Sequence, residues 1–225
     1  MIKNVLFDLD GTLTDPKLGI TNCIRYAMEK MGREDIPSND QLIWCIGPPL
    51  LSSFGDLLET DDKAVIDQAI TFYRERFSTI GMLENDVIPG IPELLRKLQQ
   101  RGLRLFVATS KPHHYANQII EHFNLEEHFE QTFGSEMDGT NSYKPDLLKR
   151  LLEDQELEAG QSIMIGDRHH DIDGARANGI HSIAVTWGYG SETEFATANP
   201  DHICRHPQEI VAVISSIGVV LNDTR

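Results

Sequence analysis

The sequence predicts an α/β fold: a doubly wound parallel sheet with an all-helical cap domain inserted near its start. Three observations predict it. Apolar runs with little alternation, at Val5–Phe7, Leu103–Ala108, Ser162–Ile165 and His181–Val185, have the character of strands buried on both faces. Helix-spaced apolar residues lie between the later runs, and strands alternating with helices mean βαβ units with right-handed crossovers. From about residue 16 to residue 83 the pattern is helical throughout, with no strand-like run. The reading assigns residues 1–15 and 84–225 to a Rossmann-like α/β core and residues 16–83 to the cap.

The elements follow in order. Val5–Phe7 is a buried strand that ends in Asp8-Leu9-Asp10-Gly11-Thr12, where Gly11 and Thr12 mark a turn. After Asp15-Pro16, the residues Ile20, Ile24, Ala27, Met28 and Met31 follow helix spacing, and Gly32 ends the helix. A polar break precedes the short apolar segment Leu42–Ile46, then Gly47-Pro48-Pro49 punctuates the chain. Leu50–Leu58 is a short helix, and Ile66, Ala69, Ile70, Tyr73 and Phe77 line one face of a longer one. The pattern changes at Val87-Ile88-Pro89-Gly90. Pro92 suits the first turn of a helix that carries Leu94, Leu95 and Leu98, with Gly102 as its stop. The strand to Ala108 ends in Thr109-Ser110-Lys111-Pro112, and a helix with Ala116, Ile119, Ile120 and Phe123 follows. Thr132–Gly134 is a weak strand. Lys144-Pro145 opens a helix with Leu147, Leu148, Leu151 and Leu152. The strand Ser162–Ile165 ends in Gly166-Asp167, Asp171–Asn178 is helical, and His181–Val185 is a strand followed by a loop with Gly188 and Gly190. Ile203 adds a short edge strand and Pro207–Ile217 a closing helix.

Composition bounds the function. The chain has 225 residues, a formal net charge of −15 and three scattered cysteines, Cys23, Cys45 and Cys204. Such a charge argues against nucleic acid, whose phosphates need basic patches. It also means that an anionic substrate needs a metal ion and local cations to invert the field at its site. No apolar stretch is long enough to span a bilayer, and the N-terminus lacks the features of a signal peptide. The cysteine spacing fits buried thiols in a reducing compartment rather than disulfides or a zinc site, so a cytoplasmic location is expected.

Three strand ends carry chemistry. Asp8 and Asp10 end the first strand, Thr109 the second, and Asp167, with Asp171 four residues on, follows the strand Ser162–Ile165. In a parallel sheet these ends share one edge, where open α/β folds bind ligands. The pair Asp8 and Asp10 offers a nucleophile or metal ligand beside an acid/base. Thr109 offers a hydroxyl, and the backbone N–H groups after it form an anion seat at a helix N-terminus. Lys144 is a cation at a helix start, electrostatically poor for the helix, so its ammonium is expected to turn toward carboxylates. Each piece also has a plain alternative. A D-x-D occurs in calcium loops, sugar-nucleotide sites and solvated turns; Thr109 serves equally as an N-cap; Lys144 as a solvated lysine; Asp167 and Asp171 as caps of the next helix. Their order on alternating strands favours a common site.

The segments FDLDGTLTD, VATSKP and IMIGDRHHDIDGA, with GPPL in the insert, resemble the haloacid dehalogenase-like hydrolases, specifically the phosphoglycolate phosphatase-like branch. The resemblance covers essentially the whole chain, the helical insert matching that branch's cap domain. It implies an Mg²⁺-dependent phosphatase acting on a small phosphorylated metabolite. Asp8 would attack phosphorus and become an aspartyl-phosphate, and Asp10 would protonate the leaving oxygen and then deprotonate water. Mg²⁺ would be held by Asp8, the Asp10 backbone carbonyl and Asp167, with Asp171 orienting a metal-bound water or, as the lesser alternative, ligating directly. Thr109 and the Ser110 N–H would bind phosphoryl oxygens, and Lys144 would offset charge on Asp8 and the transferring group. Ser110 stands where related phosphatases commonly have asparagine; use of its backbone N–H alone makes the difference immaterial.

Other residues are expected at the margin. His169 and His170 read as loop or rim positions rather than ligands, and His113 and His114 lie near the expected mouth. Arg74 and Arg76 read as solvated face, and Lys17, next to the hinge, as a residue that could reach the site when the cap closes. Gly47, in the Gly47-Pro48-Pro49 turn, is the candidate for a loop that dips toward substrate. Alternatives to a phosphoglycolate phosphatase-like activity are a 5′-nucleotidase or pyrophosphatase of the same fold, or a phosphomutase. A dehalogenase is disfavoured because departing halide needs no proton from Asp10, and a non-catalytic binding protein because the charged set is complete. A monomer or homodimer is expected.

Overall fold

The computed structural model describes residues 1–217, so residues 218–225 of the expected core lie outside the described residues. Six strands form one parallel sheet: β1 (Asn4–Phe7), β4 (Arg104–Pro112), β5 (Gln131–Ser135), β6 (Ser162–Gly166), β7 (His181–Val185) and β8 (His202–Cys204). Their spatial order is β5-β4-β1-β6-β7-β8. The chain winds outward from β1 through β4 to β5, then crosses back to β6 and winds the other way. The switch point lies between β1 and β6, and in such sheets the crevice at the carboxyl ends of the two switch strands is the place for a ligand.

β1 is apolar on both faces because both are covered. Val5 and Phe7 join the larger core, with Leu94, Leu95 and Leu98 of α4 (Ile91–Gln100), Ile119 of α5 (His113–His122) and Ile210 of α9 (Pro207–Ile217). Leu6 points the other way, into a second core with Phe106, Met164, Leu147, Leu148 and Leu151, the last three from α6 (Lys144–Asp154). Ala175 of α7 (His169–Ala177) closes that layer. Full burial of each such side chain contributes roughly 1.5–3 kcal/mol, which is why the strand can be so short and still central.

The cap is helical, as the pattern predicts. It holds α1 (Lys17–Lys30), a 3₁₀ turn over Asp40–Cys45, α2 (Leu50–Leu58) and α3 (Lys63–Phe77). The apolar face of α3 is Ile66, Ala69, Ile70, Tyr73 and Phe77, and Asp62 caps its start by accepting from the Ala64 N–H. Where the chain leaves and re-enters the core, β2 (Thr14–Asp15) and β3 (Asp86–Val87) pair antiparallel. Neither this two-residue ribbon nor α8 (Glu192–Ala198), which follows the expected loop at Gly188 and Gly190, is among the expected elements. Two boundaries also differ. β4 runs on past Ala108 to Pro112 with an irregularity in register, and α7 starts at His169, so His169 and His170 stand in its first turn rather than in a loop.

Candidate active site

The registers set the edge of the site. Phe7 is level with Val107 on one side and Ile165 on the other, so Asp8, Ala108 and Gly166 lie level where the common register stops. The Asp8 N–H still donates to the Ile165 carbonyl (2.9 Å), and the chain then turns sharply. The Leu9 carbonyl accepts from the N–H groups of Thr12, Leu13 and Thr14 at 3.2, 2.9 and 3.0 Å. Gly11 makes the turn possible: its φ is +81°, and a Cβ there would lie 2.2 Å from Asp167 Oδ2. The same turn carries Asp10 away from the line of β1, so that Asp8 and Asp10 meet different partners.

Lys144 lies under Asp8. It is 3% exposed, and its Nζ is 3.0 Å from Asp8 Oδ1, 2.8 Å from Asp171 Oδ1 and 2.8 Å from the Ala108 carbonyl to which it donates. Asp167 is wholly buried; its Oδ2 accepts from the Tyr189 N–H (2.7 Å) and its Oδ1 from the Thr12 hydroxyl (3.4 Å). Thr109 is buried one residue past the end of the common register, its hydroxyl accepting from the Lys111 N–H (3.2 Å). Ser110 is half-buried, and its carbonyl accepts from the Ser135 hydroxyl (2.9 Å). Gly47 sits against the core: a Cβ there would lie 3.0 Å from Cγ of Arg168, the residue after Asp167, and Arg168 Nη1 donates to the Ile46 carbonyl.

Four buried carboxyls in one place make an expensive field. Burial raises the pKa of Asp167 well above the usual carboxylate range, and Asp8 and Asp171 raise it further. Burial also lifts Asp171, to about 6, against the pull of Lys144. Asp10 is raised by burial and lowered by Lys111, with a net rise. For Lys144 burial opposes the charge, but Asp171 and Asp8 outweigh it and hold the pKa above the ordinary lysine value. Asp8, Asp167 and Asp171 can each offer a carboxylate oxygen within 4.8 Å of the others. Three buried hard oxygen donors with excess negative charge suit a hard divalent cation such as Mg²⁺, which would reverse the local pKa pattern. Asp171 is as near as the other two and is held by the Lys144 ammonium at 2.8 Å.

The margin differs from expectation in several places. Arg76 is not a solvated residue: it makes a two-pronged ion pair with Glu84 (2.7 and 2.9 Å) and lies 3.3 Å from Cys23 Sγ. Arg74 Nη2 donates to the Met137 carbonyl (2.6 Å). Lys17 pairs with Asp40 at 2.6 Å. His113 and His114 open α5, with His113 Nδ1 3.2 Å from the Ser135 carbonyl. His169 bonds Glu194 and neither it nor His170 belongs to the carboxylate cluster.

Sequence reasoning missed three residues at the site. Lys111 is buried with Nζ 2.7 Å from Asp10 Oδ2; its position two beyond Thr109, in a segment continuing a strand, was the available signal. Glu194 of α8 holds the loop after Asp167 through Arg168 Nε (3.0 Å) and the His169 N–H (2.7 Å). Tyr189 carries the N–H on Asp167, and its hydroxyl donates to Asp15 beside the cap crossing.

The family model described as haloacid dehalogenase-like hydrolase matches residues 5–185. A protein of Pseudomonas aeruginosa named 5′-nucleotidase is 45% identical over 95% of this chain and 96% of its own length. A Mycobacterium tuberculosis protein named tyrosine-protein kinase PtkA is 36% identical over 96% of this chain and 72% of its own. The crystal structure of a predicted phosphatase from Clostridium acetobutylicum superposes with a TM-score of 0.92 at 39% identity, covering 96% of this chain and 99% of that one.

Proposed function

The chain belongs to the haloacid dehalogenase-like hydrolases, in the phosphoglycolate phosphatase-like branch, and is a phosphoric monoester hydrolase; from that premise we propose an Mg²⁺-dependent phosphatase that works through an aspartyl-phosphate on Asp8. The observation that carries the reading is Asp8 at the end of β1, with Lys144 at 3.0 Å beneath it and Asp10 swung to one side by the Gly11 turn. Lys144 offsets charge on Asp8 and on the phosphoryl group, and Thr109 and the Ser110 N–H receive the phosphoryl oxygens. Asp8 attacks phosphorus as the ester bond breaks, and Asp10 gives its proton to the departing oxygen. Asp10 then takes a proton from the water that attacks the aspartyl-phosphate, releasing phosphate and freeing Asp8. Asp8, Asp167 and the Asp10 carbonyl would hold Mg²⁺, with Asp171 beside them; when bound, the ion supplies positive charge to offset the carboxylates and the phosphate.

Among substrates, a nucleoside 5′-monophosphate stands ahead of phosphoglycolate, supported by the likeness to the Pseudomonas protein. The Gly47 loop of the cap is our candidate for a substrate contact, since it reaches Arg168 beside Asp167. Among the described residues no helix is long and apolar enough to cross a membrane, and the three cysteines are free and buried. We place the protein in the cytoplasm. Phosphate release from a panel of nucleoside monophosphates, phosphoglycolate, pyrophosphate and sugar phosphates tests the reading, with and without chelator. Release from a monophosphate that stops with chelator and returns with Mg²⁺ supports it. Full activity in chelator removes the metal, and transfer of phosphate to a second sugar hydroxyl instead of water makes the protein a mutase.

A further inference from the structure

Lys111 is a buried cation that the chemistry above does not use. Its Nζ lies 2.8 Å from Asp10 Oδ1 and 2.7 Å from Oδ2, so the ammonium straddles the carboxylate. The two side chains are 7% and 10% exposed. Among the described residues, the Asp10 carboxylate accepts a hydrogen bond from Lys111 alone. On its other side the ammonium lies 5.0 Å from the ring centroid of Phe77, the last residue of the cap helix α3. Phe77 is itself wedged. It stacks on Tyr73 of the same helix (5.2 Å, 17°) and meets Tyr115 of core helix α5 edge-on (5.2 Å, 81°). Lys111 is thus enclosed between a carboxylate of the core and a ring of the cap.

We propose that Lys111 is the positioning residue of Asp10, and that Phe77 locks Lys111 in place when the cap is seated. The inference rests on the reading of Asp10 as acid–base. A carboxylate on a tight turn with no other hydrogen-bond partner is free to rotate, and a lysine stem has four rotatable bonds. The ion pair fixes the first, and the aromatic face, attractive to a cation, fixes the second. The arrangement links two events: the cap closes, and the proton-transferring group is held at the leaving-group side. Lys111 acts through Asp10 and not on the substrate.

The test is single-turnover phosphorylation of Asp8 by an alkyl ester, ethyl phosphate, and by 4-nitrophenyl phosphate. Lys111→Met keeps the stem and removes the charge. It should slow the alkyl ester at least about tenfold more than the nitrophenyl ester, because only the alkoxide needs the proton that Asp10 supplies. Lys111→Arg, which keeps the charge, should remove most of that difference. Phe77→Leu should show the same leaving-group selectivity more weakly. With ethyl phosphate, Lys111→Met should add nothing in an Asp10→Asn background, since two residues acting as one unit are not additive. Equal slowing of both esters in Lys111→Met and Phe77→Leu overturns the proposal. So does an undiminished effect of Lys111→Met in the Asp10→Asn background, which would put Lys111 on the substrate. A wild-type protein that turns over neither ester would instead sink the phosphatase reading itself, so the two failures are told apart. If Lys111→Met does not fold, Phe77→Leu carries the same comparison.

Discussion

Asp8 and Asp10 flank a single leucine, yet one faces Lys144 and the other Lys111. In the proposed mechanism this separation of partners lets one carboxyl attack and the other move protons. Asp10→Asn should therefore slow phosphorylation by an alkyl phosphate roughly 10²–10⁴-fold while sparing nitrophenyl phosphate, whose leaving group needs no proton. Rapid-mix measurements with both esters check this, and equal slowing would leave Asp10 only a positional part. The cysteines give a second expectation at this scale. Burial pushes the thiols of Cys23 and Cys204 up to about 11 and that of Cys45 to about 12. All three should resist a thiol reagent at pH 8 in the native protein and react together once it is denatured; fast labelling of one would show it to be reactive. Asp8, Asp10, Asp167 and Lys144 were legible because each ends a strand or opens a helix in a fixed order. Lys111 was less so: its place two beyond Thr109 in a continuing strand hints at a shared face, but its contact with Asp10 is set by residues far apart in sequence.

α3 is fastened at its end by Arg76, whose two nitrogens hold Glu84 on the segment returning to the core. The Arg76 guanidinium holds the Glu84 carboxyl below its ordinary value. A depressed carboxyl contributes stability above its unfolded pKa of about 4.5 and loses it as pH falls through the folded value. Glu84→Gln should cost about 1 kcal/mol at pH 7, kept small by partial solvent screening, and the difference should shrink toward pH 3. Denaturant titrations at both pH values measure it, and a cost that persists at pH 3 would mean lost packing. The Gly47 loop makes a different expectation. Gly47 has φ +105°, so Gly47→Ala strains the backbone and presses on Arg168. It should reorder the substrate panel more than it changes turnover of nitrophenyl phosphate; a uniform fall would make the loop structural. Long elements with a clear period were legible, β1, α3 and α6 among them. The β2–β3 ribbon was not, since two residues have no period. α8 buries only Phe195 and Ala198, too few for a stripe, although Ser191 and Glu194 had the S-x-x-E form of a helix start. Glu194 lends its N–H to that cap and its carboxylate to Arg168 and His169.

Across the whole molecule, a chain of net charge −15 gathers four acidic side chains at the switch point of its sheet and sets Lys144 and Lys111 against them. The wider field repels a phosphate ester, and on the proposed reading a divalent cation at the carboxylate cluster is what makes the local site attractive to one. Mg²⁺ should therefore stabilise the folded chain, by about 2.7 kcal/mol at a concentration one hundred times its Kd, and Asp167→Asn should remove most of that gain. Thermal unfolding with and without Mg²⁺ reads this without any substrate; no shift in the unaltered protein would argue against metal binding at the cluster. The doubly wound order and the inserted cap followed from pattern alone, whereas how the cap meets the core depends on contacts between residues far apart in sequence, such as Phe77 with Tyr115 and Gly47 with Arg168. The claim on which everything rests is that Asp8 carries the phosphoryl group. The direct measurement is intact-protein and peptide mass spectrometry of the Asp10→Asn variant, quenched in acid after mixing with nitrophenyl phosphate and Mg²⁺. Loss of the base should strand the intermediate, so the account predicts one added phosphoryl group, located on the peptide that contains Asp8 and absent when Asp8→Asn is combined with it. A phosphoryl group on another residue, or one that persists without Asp8, would contradict it.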